Sequence, residues 1–422
     1  MHPSRKRIWI PSLVILMALI AVILWTFDSS PRVLAEPANA YGPDSSSGWR
    51  IGEPITYETL TVFPVLSSQE AYTAGFETLD AALASGEAIV AEQGEYMRRS
   101  RNGVAPALMT SGGAQVNQLV LVNRGKKPLL LLAGEVVSGG KQDRIIGKDR
   151  IIPIGAQPLP LDVFCVEHSR WTNGGDTFAA AKTMVHPTVR EQAAVDQDQN
   201  KVWAAVRGDA VGSSAGVGSG VGGGVASGEG GGTGAGTVAA GRTQAQSQLS
   251  SNLEVTAPRI TSHQLSTVVA SAAPTEGYRS IYQSAAVGPS VENFALEVER
   301  RFNRATSGLK GEHVVGVIVA FGGEVAWSDI FASSQLFDAY WPKLLRSYAV
   351  EALTRPATRE KLSFDDARDF LRPATGHVRE ETEPGVYRWQ ERSEGRETEI
   401  QLQALQTKPP LTLHWLKVLR TN

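Results

Sequence analysis

The feature that most constrains the fold of this chain is a glycine-rich tract near its middle. Fifteen of the 42 glycines fall between Gly208 and Gly241, mostly among alanine, serine, valine and threonine. Such a segment buries too little apolar surface to offset the entropy that ordering it would cost. A phosphate-binding loop would need a short glycine turn between a strand and a helix, and this tract lacks that context. We therefore expect residues 208–245 to be a disordered insertion.

An apolar segment near the N-terminus predicts an exported protein. Ile8 to Phe27 carries no charge and directly follows Arg5-Lys6-Arg7. A helix of this length spans roughly 30 Å, the thickness of a bilayer's hydrocarbon core, and basic residues stay on the cytoplasmic side. We expect residues 1–27 to be a basic tail and transmembrane anchor, with the remainder periplasmic or extracellular. The alternative is a signal peptide cleaved after a small-x-small site such as Ala38-Asn39-Ala40, which would give a secreted protein.

The chain as a whole has the composition of a folded protein. Hydrophobic residues make up 42% of the sequence, and 41 Lys and Arg stand against 43 Asp and Glu. This near balance gives no overall attraction to nucleic acid, so we expect no nucleic-acid partner. The single cysteine, Cys165, excludes an internal disulfide and a cysteine-based metal site. We expect no metal and no cofactor.

The exported part divides into a tether and a folded body. Residues 28–53 are rich in serine, proline and alanine, which predicts a flexible tether. From residue 54 to residue 420, short apolar runs, turn signals and helical stripes follow one another without regular alternation of strand and helix. This pattern predicts an α+β fold, mostly antiparallel β with several packed helices. Periodicity alone leaves open whether the two sides of the insertion form one domain or two.

Local signals place several individual elements. Thr78 is expected to cap a short helix, and Ser363 with Asp366 is close to a capping box. Two hairpins are expected, one around Asn123-Arg124-Gly125 and one around Gly322-Gly323, because apolar runs flank both turns.

The usual signatures of catalysis are absent from the sequence. No Gly-x-Ser-x-Gly or His-Glu-x-x-His occurs, and Lys141 lacks the flanking residues of a phosphate-binding loop. Cys165 and His168 have the spacing of half a metal site, or of a nucleophile and its base. If Leu159 to Arg170 is one strand, however, residues three apart point to opposite faces. We therefore expect Cys165 to be a buried structural residue.

The most distinctive stretch runs from Gly134 to Arg150. A Gly-Gly pair frees the backbone for a close approach just before Lys141. Asp143-Arg144 recurs six residues later as Asp149-Arg150, so both pairs would project identically from one unbroken strand. Clustered cations of this kind can hold phosphate or carboxylate; here they are Lys141, Arg144, Lys148 and Arg150. The alternative is a charged hairpin whose side chains pair with each other.

Several motifs also follow one another in the order known from one domain family. They are Gly134-Glu135, Gly140-Lys141-Gln142-x-Arg144, Cys165-Val166-Glu167-x-x-Arg170-Trp171, Lys201-Val202-Trp203, the run from Gly316 to Trp327, Phe337, and Trp341-x-Lys343-Leu344-Leu345. With these motifs the chain resembles the bacterial ARG and rhodanese-phosphatase-superfamily-associated protein domain family, over about Tyr57 to Leu353. The resemblance implies a single domain, residues 54–420, that contains the glycine-rich insertion. It implies no catalytic residue.

These observations favour a binding or interaction domain, anchored to the membrane on its exported side, over an enzyme. Its partner would be another protein or a small anionic ligand. The expected polar site consists of Glu135, Lys141, Gln142, Arg144, His168, Arg170 and Trp171.

Two alternatives remain open for this site. One is an enzyme acting on a phosphorylated or nucleotide-like substrate, with Glu135 or His168 as acid or base. The other is a purely structural cluster, in which Glu135 forms a buried ion pair with Arg144 or Arg170.

Overall fold

The structure is a computed structural model that describes residues 48–92, 118–155, 157–166, 177–207, 260–261, 264, 268, 277–355 and 362–420. The predicted anchor Ile8–Phe27, most of the tether and the insertion 208–245 lie outside these ranges. No helix among the described residues is long and apolar enough to cross a membrane.

Strands provide most of the regular structure. In chain order they are β1 Trp49–Ile51, β2 Ile55–Tyr57, β3 Leu60–Ser67, β4 Glu77–Thr78, β5 Ala88–Glu92, β6 Gln118–Asn123, β7 Leu129–Leu131, β8 Glu135–Gly139, β9 Arg144–Ile146, β10 Arg150–Ile152, β11 Leu159–Cys165, β12 Thr177–Met184, β13 His313–Phe321, β14 Glu324–Phe331, β15 His377–Glu383, β16 Tyr387–Glu394, β17 Glu397–Ala404 and β18 Leu411–Leu419.

The helices lie between groups of strands. They are α1 Leu79–Ser85, α2 Pro187–Glu191, α3 Gln199–Arg207, α4 Ser280–Gln283, α5 Gly288–Thr306, α6 Ser334–Thr354 and α7 Phe364–Phe370, with a π-helical turn at Gln192–Asp196 and a 3₁₀ turn at Gly277–Arg279. The coarse prediction of an α+β fold with mainly antiparallel pairing is confirmed, since every described strand pair except β4 with β7 is antiparallel.

A nine-stranded sheet carries both ends of the described body. Its order is β1-β3-β13-β14-β18-β17-β16-β15, and β2 pairs with β3. The strand β1 lies inside the segment predicted as tether and pairs with β3. Apolar side chains of α5 and α6 pack with those of the sheet in the largest core cluster, whereas α7 contributes to a separate cluster with β3, β13 and β18.

A second sheet of six strands closes on itself in the order β11-β6-β5-β12-β8-β9. Its interior is apolar and includes Val90, Leu121, Val137, Ile146 and Val163. A third, three-stranded sheet runs in the order β10-β7-β4. These two sheets come entirely from residues between β3 and β13.

Local signals predict the elements they touch correctly. Thr78 caps α1 by accepting a hydrogen bond from the Ala81 amide, and Ser363 and Asp366 form a capping box at α7. The strands flanking Gly322-Gly323 pair as the predicted hairpin. The hairpin predicted around residues 123–125 is wrong, because β6 pairs with β5 and β11 whereas β7 pairs with β4 and β10.

The repeated Asp-Arg pairs do not lie on one unbroken strand, so the condition under which they would project identically is not met. The chain leaves β9 at Gly147, whose amide donates to the Asp162 carbonyl at 3.1 Å, and β10 then joins a different sheet. A Cβ at Gly147 would lie 2.8 Å from the Phe164 ring, so glycine permits this close passage. The two arginines therefore have different surroundings.

Candidate functional site

Three of the predicted site residues, Lys141, Gln142 and Arg144, lie together at the turn between β8 and β9. Two glycines precede them, with φ of 134° at Gly139 and 57° at Gly140. A Cβ at Gly140 would lie 2.3 Å from the Phe178 ring and 2.9 Å from Oε1 of Glu92. The predicted close backbone approach is confirmed, and it brings the turn against the carboxylate of Glu92.

The strand register directs Arg144 and Glu92 into the same end of the closed sheet. Side chains alternate along a strand, so Glu92 shares the inner face of β5 with Val90. Arg144 is the register partner of Val137, which also belongs to the apolar interior. A glutamate and an arginine thus replace apolar residues at one end of this interior.

We name Glu92, Lys141, Gln142 and Arg144 the end cluster. Arg144 is 0% exposed and Glu92 is 1% exposed. Nη1 of Arg144 donates to the Gln142 carbonyl at 2.8 Å, and its Nη2 lies 3.7 Å from Oε1 of Glu92. The Lys141 amide donates to the same Oε1 at 3.3 Å. Backbone contacts therefore hold the guanidinium beside a buried carboxylate.

Several polar atoms of the end cluster are buried without a hydrogen-bond partner among the described residues. They are Oε2 of Glu92, Oε1 of Gln142, and Nε and Nη2 of Arg144. Nε and Nη2 are the two parallel donors on one side of a guanidinium, which is the arrangement that binds carboxylate or phosphate in bidentate fashion. Buried polar groups are normally paired, so this concentration is unusual within a fold.

The other residues of the predicted site are placed differently or not at all. His168, Arg170 and Trp171 lie outside the described residues, so their predicted role stays a prediction. Cys165, at the end of β11, is buried as expected and is the register partner of Arg144.

Glu135 belongs to a different group of charges. Its Oε2 accepts a 2.7 Å hydrogen bond from the Leu132 amide, and its Oε1 is bound by Nζ of Lys343 from α6. The same Nζ lies 2.7 Å from Oδ2 of Asp80. Burial alone would lower the pKa of Lys343, but the two carboxylates outweigh it and raise that pKa. Burial also raises the pKa of Glu135, and Lys343 offsets only part of that rise. The buried ion pair considered for Glu135 is thus formed with Lys343, not with Arg144.

Gly134 has a separate steric role. Its φ is 92°, and a Cβ at this position would lie 2.7 Å from Cγ of Arg190. The absent side chain lets Arg190 pass, and Nε of Arg190 donates to the Ala133 carbonyl at 2.8 Å. Both residues of the Gly134-Glu135 motif therefore join the closed sheet to neighbouring elements: Gly134 leaves room for Arg190, and Glu135 binds Lys343 of α6.

A second buried cluster, which the sequence does not predict, lies beyond Arg190. We name Asp149, Arg190, Asp329 and His414 the Asp329 cluster. Nη1 and Nη2 of Arg190 each lie 2.8 Å from a different oxygen of Asp329. His414 lies between the two acids, with Nδ1 2.6 Å from Asp149 and Nε2 3.0 Å from Asp329.

The partners of Asp329 determine its charge and that of His414. Trp327 donates to Oδ2 at 2.8 Å, and the Tyr348 hydroxyl donates to the same atom. Burial raises the pKa of Asp329, but Arg190 and His414 outweigh it and keep that pKa below its usual range. Burial lowers the pKa of His414, whereas Asp149 and Asp329 raise it by more. The cluster thus holds an imidazolium between two carboxylates.

The Asp329 cluster has little capacity for chemistry. Both ring nitrogens of His414 face carboxylates, so neither offers a lone pair to a metal or a substrate. In the described part of the chain, no group of three or more His, Cys, Asp or Glu is placed to hold a metal ion. The available sequence signal was an isolated charge in an apolar strand: Asp329 in β14 and His414 in β18.

Two other cations of the predicted anion group pair with acids on β15. Lys148 contacts Glu381, and Nη2 of Arg150 lies 3.5 Å from Glu383. Lys148 also borders an open groove of about 360 Å³ between the closed sheet and β15. The acids of β15 neutralise Lys148 and Arg150. Of the four cations predicted to bind an anion, only Lys141 and Arg144, in the end cluster, therefore remain candidates.

Comparison with known families assigns the chain. The model of the ARG and rhodanese-phosphatase-superfamily-associated protein domain matches residues 48–415. The chain belongs to this family. The match covers all three sheets, from β1 into β18, and the segment between residues 207 and 277. A search of curated proteins and a search of solved structures each returned no match.

Proposed function

We propose that this family member is a membrane-tethered binding domain that acts on the exported side and holds a small polar ligand at the end cluster. The observation that supports it most directly is the side-on donor pair of Arg144, buried without a hydrogen-bond partner among the described residues. A guanidinium in this state gains strongly when an oxyanion binds, because charge-assisted hydrogen bonds replace unmet ones.

The proposed location rests on the sequence. Three basic residues precede the uncharged segment Ile8–Phe27, which is the arrangement of an anchor with a cytoplasmic tail. A membrane-impermeant protease added to intact spheroplasts should digest the body and leave a short anchored fragment. Full protection of the body would show that it faces the cytoplasm.

The proposed site is tested by ligand binding to the full-length protein in detergent. A panel of carboxylates, phosphates and amino compounds is screened by thermal shift, since a ligand that binds only the folded state raises its stability. At least one compound should raise the melting temperature of the wild type, and Arg144→Gln should abolish that shift. Arg346→Gln is the matched control, because Arg346 on α6 pairs with Glu292 on α5, outside the end cluster. Equal shifts in all three proteins would refute the site.

The geometry gives no comparable support to an enzyme that uses Glu135. Both of its carboxylate oxygens are occupied, one by the Leu132 amide and one by Lys343. A general acid or base needs an oxygen within hydrogen-bond reach of the substrate. We therefore assign Glu135 a structural role and leave ligand binding to the end cluster.

A further inference from the structure

The charges around Arg144 restrict which ligand the end cluster can hold. An oxyanion on Nε and Nη2 of Arg144 would also lie close to Glu92, whose Oε1 is 3.7 Å from Nη2. Two negative charges repel strongly at such distances when they are shielded from water. A ligand that carries only an anion is therefore disfavoured beside Glu92.

The remaining buried atoms indicate what would offset that repulsion. Oε2 of Glu92 and Oε1 of Gln142 are acceptors without a donor among the described residues. An ammonium group supplies three donors and also a positive charge. A hydroxyl group would supply a donor but would leave the charge of Glu92 unbalanced.

A count of formal charges leads to the same class of ligand. Among the described residues, Glu92 and Arg144 cancel each other, and the turn between β8 and β9 adds one charge of each sign with Lys141 and Asp143. A neutral site keeps its balance when the ligand is itself neutral overall. Buried charges are tolerated when they are paired, so a ligand with one group of each sign fits this balance.

The small separation of Glu92 and Arg144 limits the spacing of the two ligand groups. Because Nη2 and Oε1 are 3.7 Å apart, groups bound to these side chains must be close neighbours in the ligand. The ammonium and carboxylate of an α-amino acid share one carbon atom and meet this condition. Longer ω-amino acids place their charges too far apart unless they fold back.

We infer that the end cluster binds a free α-amino acid, with the carboxylate on the side-on donors of Arg144 and the ammonium on Glu92 and Gln142. The inference rests on the proposed function and specifies its ligand. It is a binding assignment and includes no covalent step.

The test uses the full-length protein with three matched forms of each probe. The proteinogenic α-amino acids, their N-acetyl derivatives and their α-amides are screened by thermal shift, with inorganic phosphate alongside. Affinities of the positive compounds are then measured by calorimetry. At least one free amino acid should bind, and its N-acetyl and amide forms should bind at least about 10-fold more weakly, because each lacks one buried charged contact.

Variants separate the two ends of the ligand. Glu92→Gln should weaken binding of the free amino acid by about 10-fold or more, because it changes the contact with the ammonium. Binding of the N-acetyl form, which has no ammonium, should not change. The control Glu292→Gln, at a half-buried pair with Arg346, should change neither affinity. The comparison of free and acetylated probes on the wild type stands even if the variant at Glu92 does not fold.

The outcomes distinguish this inference from the proposed function. If an N-acetyl acid or phosphate binds as tightly as any free amino acid, and Arg144→Gln abolishes that binding, the function stands and the amino-acid assignment is overturned. If no free amino acid binds, the assignment is likewise overturned. If compounds bind but none depends on Arg144, both proposals fail.

Discussion

The Asp329 cluster and the end cluster both contain buried charges, Glu92 and Arg144 in the latter, but they differ in how their polar atoms are used. In the Asp329 cluster, both oxygens of each acid and both nitrogens of His414 have partners. In the end cluster, Arg144 uses only Nη1 for hydrogen bonds within the described structure. Within the described structure, one polar atom of the Asp329 cluster, Nη2 of Arg190, lacks an aligned hydrogen bond although it lies 2.8 Å from Asp329, whereas four atoms of the end cluster lack one. A nearly complete network connects parts of a fold, whereas an incomplete one retains the capacity to bind. Substitutions in the Asp329 cluster should therefore reduce stability, and substitutions in the end cluster should reduce ligand binding.

Asp329→Asn should produce the largest loss of stability. Breaking a buried ion pair leaves an uncompensated charge and costs about 3–5 kcal/mol. Here Arg190 and His414 would both lose their counter-charge. Urea denaturation of the full-length protein measures the effect, with the exposed Asp365→Asn as control, expected within about 0.5 kcal/mol of wild type. A loss below about 1 kcal/mol would contradict the structural role.

Lys343→Met should cost about 3 kcal/mol at neutral pH, because Glu135 and Asp80 would face each other without their shared cation. The double variant Glu135→Gln with Lys343→Met should recover most of that loss, since it removes the buried acid and leaves only the partly exposed Asp80. Double-mutant analysis of the unfolding free energies measures the coupling. Additive losses would show that the contact between Glu135 and Lys343 contributes nothing.

Gly134→Ala should cost about 2 kcal/mol, through its positive φ and the clash with Arg190. Gly86→Ala is the matched control, because Gly86 has a φ of 78° and a Cβ added there would have nothing within 4 Å. The control should lose about 1 kcal/mol from backbone strain alone. Equal losses at the two glycines would mean that Arg190 can move aside.

The charge on His414 should give the protein a specific pH dependence. A histidine whose folded pKa is raised adds stability that is fully present below about pH 6.5 and is lost as the pH rises through the folded value. Chemical denaturation from pH 6 upward should show this decline in the wild type and a flatter profile in His414→Gln.

His186 provides an internal contrast to His414. Burial is the main cause that lowers the pKa of His186, whose Nδ1 contacts the Tyr278 hydroxyl. Because its pKa is lowered, His186 destabilises the fold as the pH falls below about 6.5. His414 has the opposite effect, since its stabilising contribution is lost as the pH rises above that value. A decline above pH 6.5 that persists unchanged in His414→Gln would contradict the assignment.

Glu92→Gln combined with Arg144→Met should have the smallest effect on stability. Replacing both members of a buried ion pair by neutral groups is often neutral or stabilising, so we expect a change within about 1 kcal/mol of either sign. Binding of any ligand of the end cluster should be lost in the same protein. A loss as large as that of Asp329→Asn would place both clusters in the same structural class.

The sequence predicts those features that depend on neighbouring residues. The capped helix α1, the capping box at α7 and the hairpin at Gly322-Gly323 follow from backbone chemistry within a few residues. The same applies to Lys141, Gln142 and Arg144, which one turn brings together. The false hairpin after β6 shows the limit, because the choice between two sheets depends on strands far away in the chain.

The partners of the site residues could not be predicted for the same reason. His414 meets Asp149 across 265 positions and Asp329 across 85. Glu92 stands at the end of an ordinary apolar strand, where a lone glutamate is more often at the surface. Only the closure of the six-stranded sheet turns that residue inward beside Arg144.

The pairing of β3 with β13 has a consequence for synthesis. β3 ends at Ser67 and its neighbour begins at His313, so the residues of the closed sheet and of the glycine-rich tract are translated between two strands that must meet. Chains generally fold as they emerge at about 5–20 residues per second, and long-range pairing is slow. The edge of β3 therefore stays unpaired until β13 has been synthesised, whereas the closed sheet can already assemble. If the chain is exported as proposed, that interval is the time in which a chaperone or a translocation channel would have to keep the unfinished sheet from aggregating.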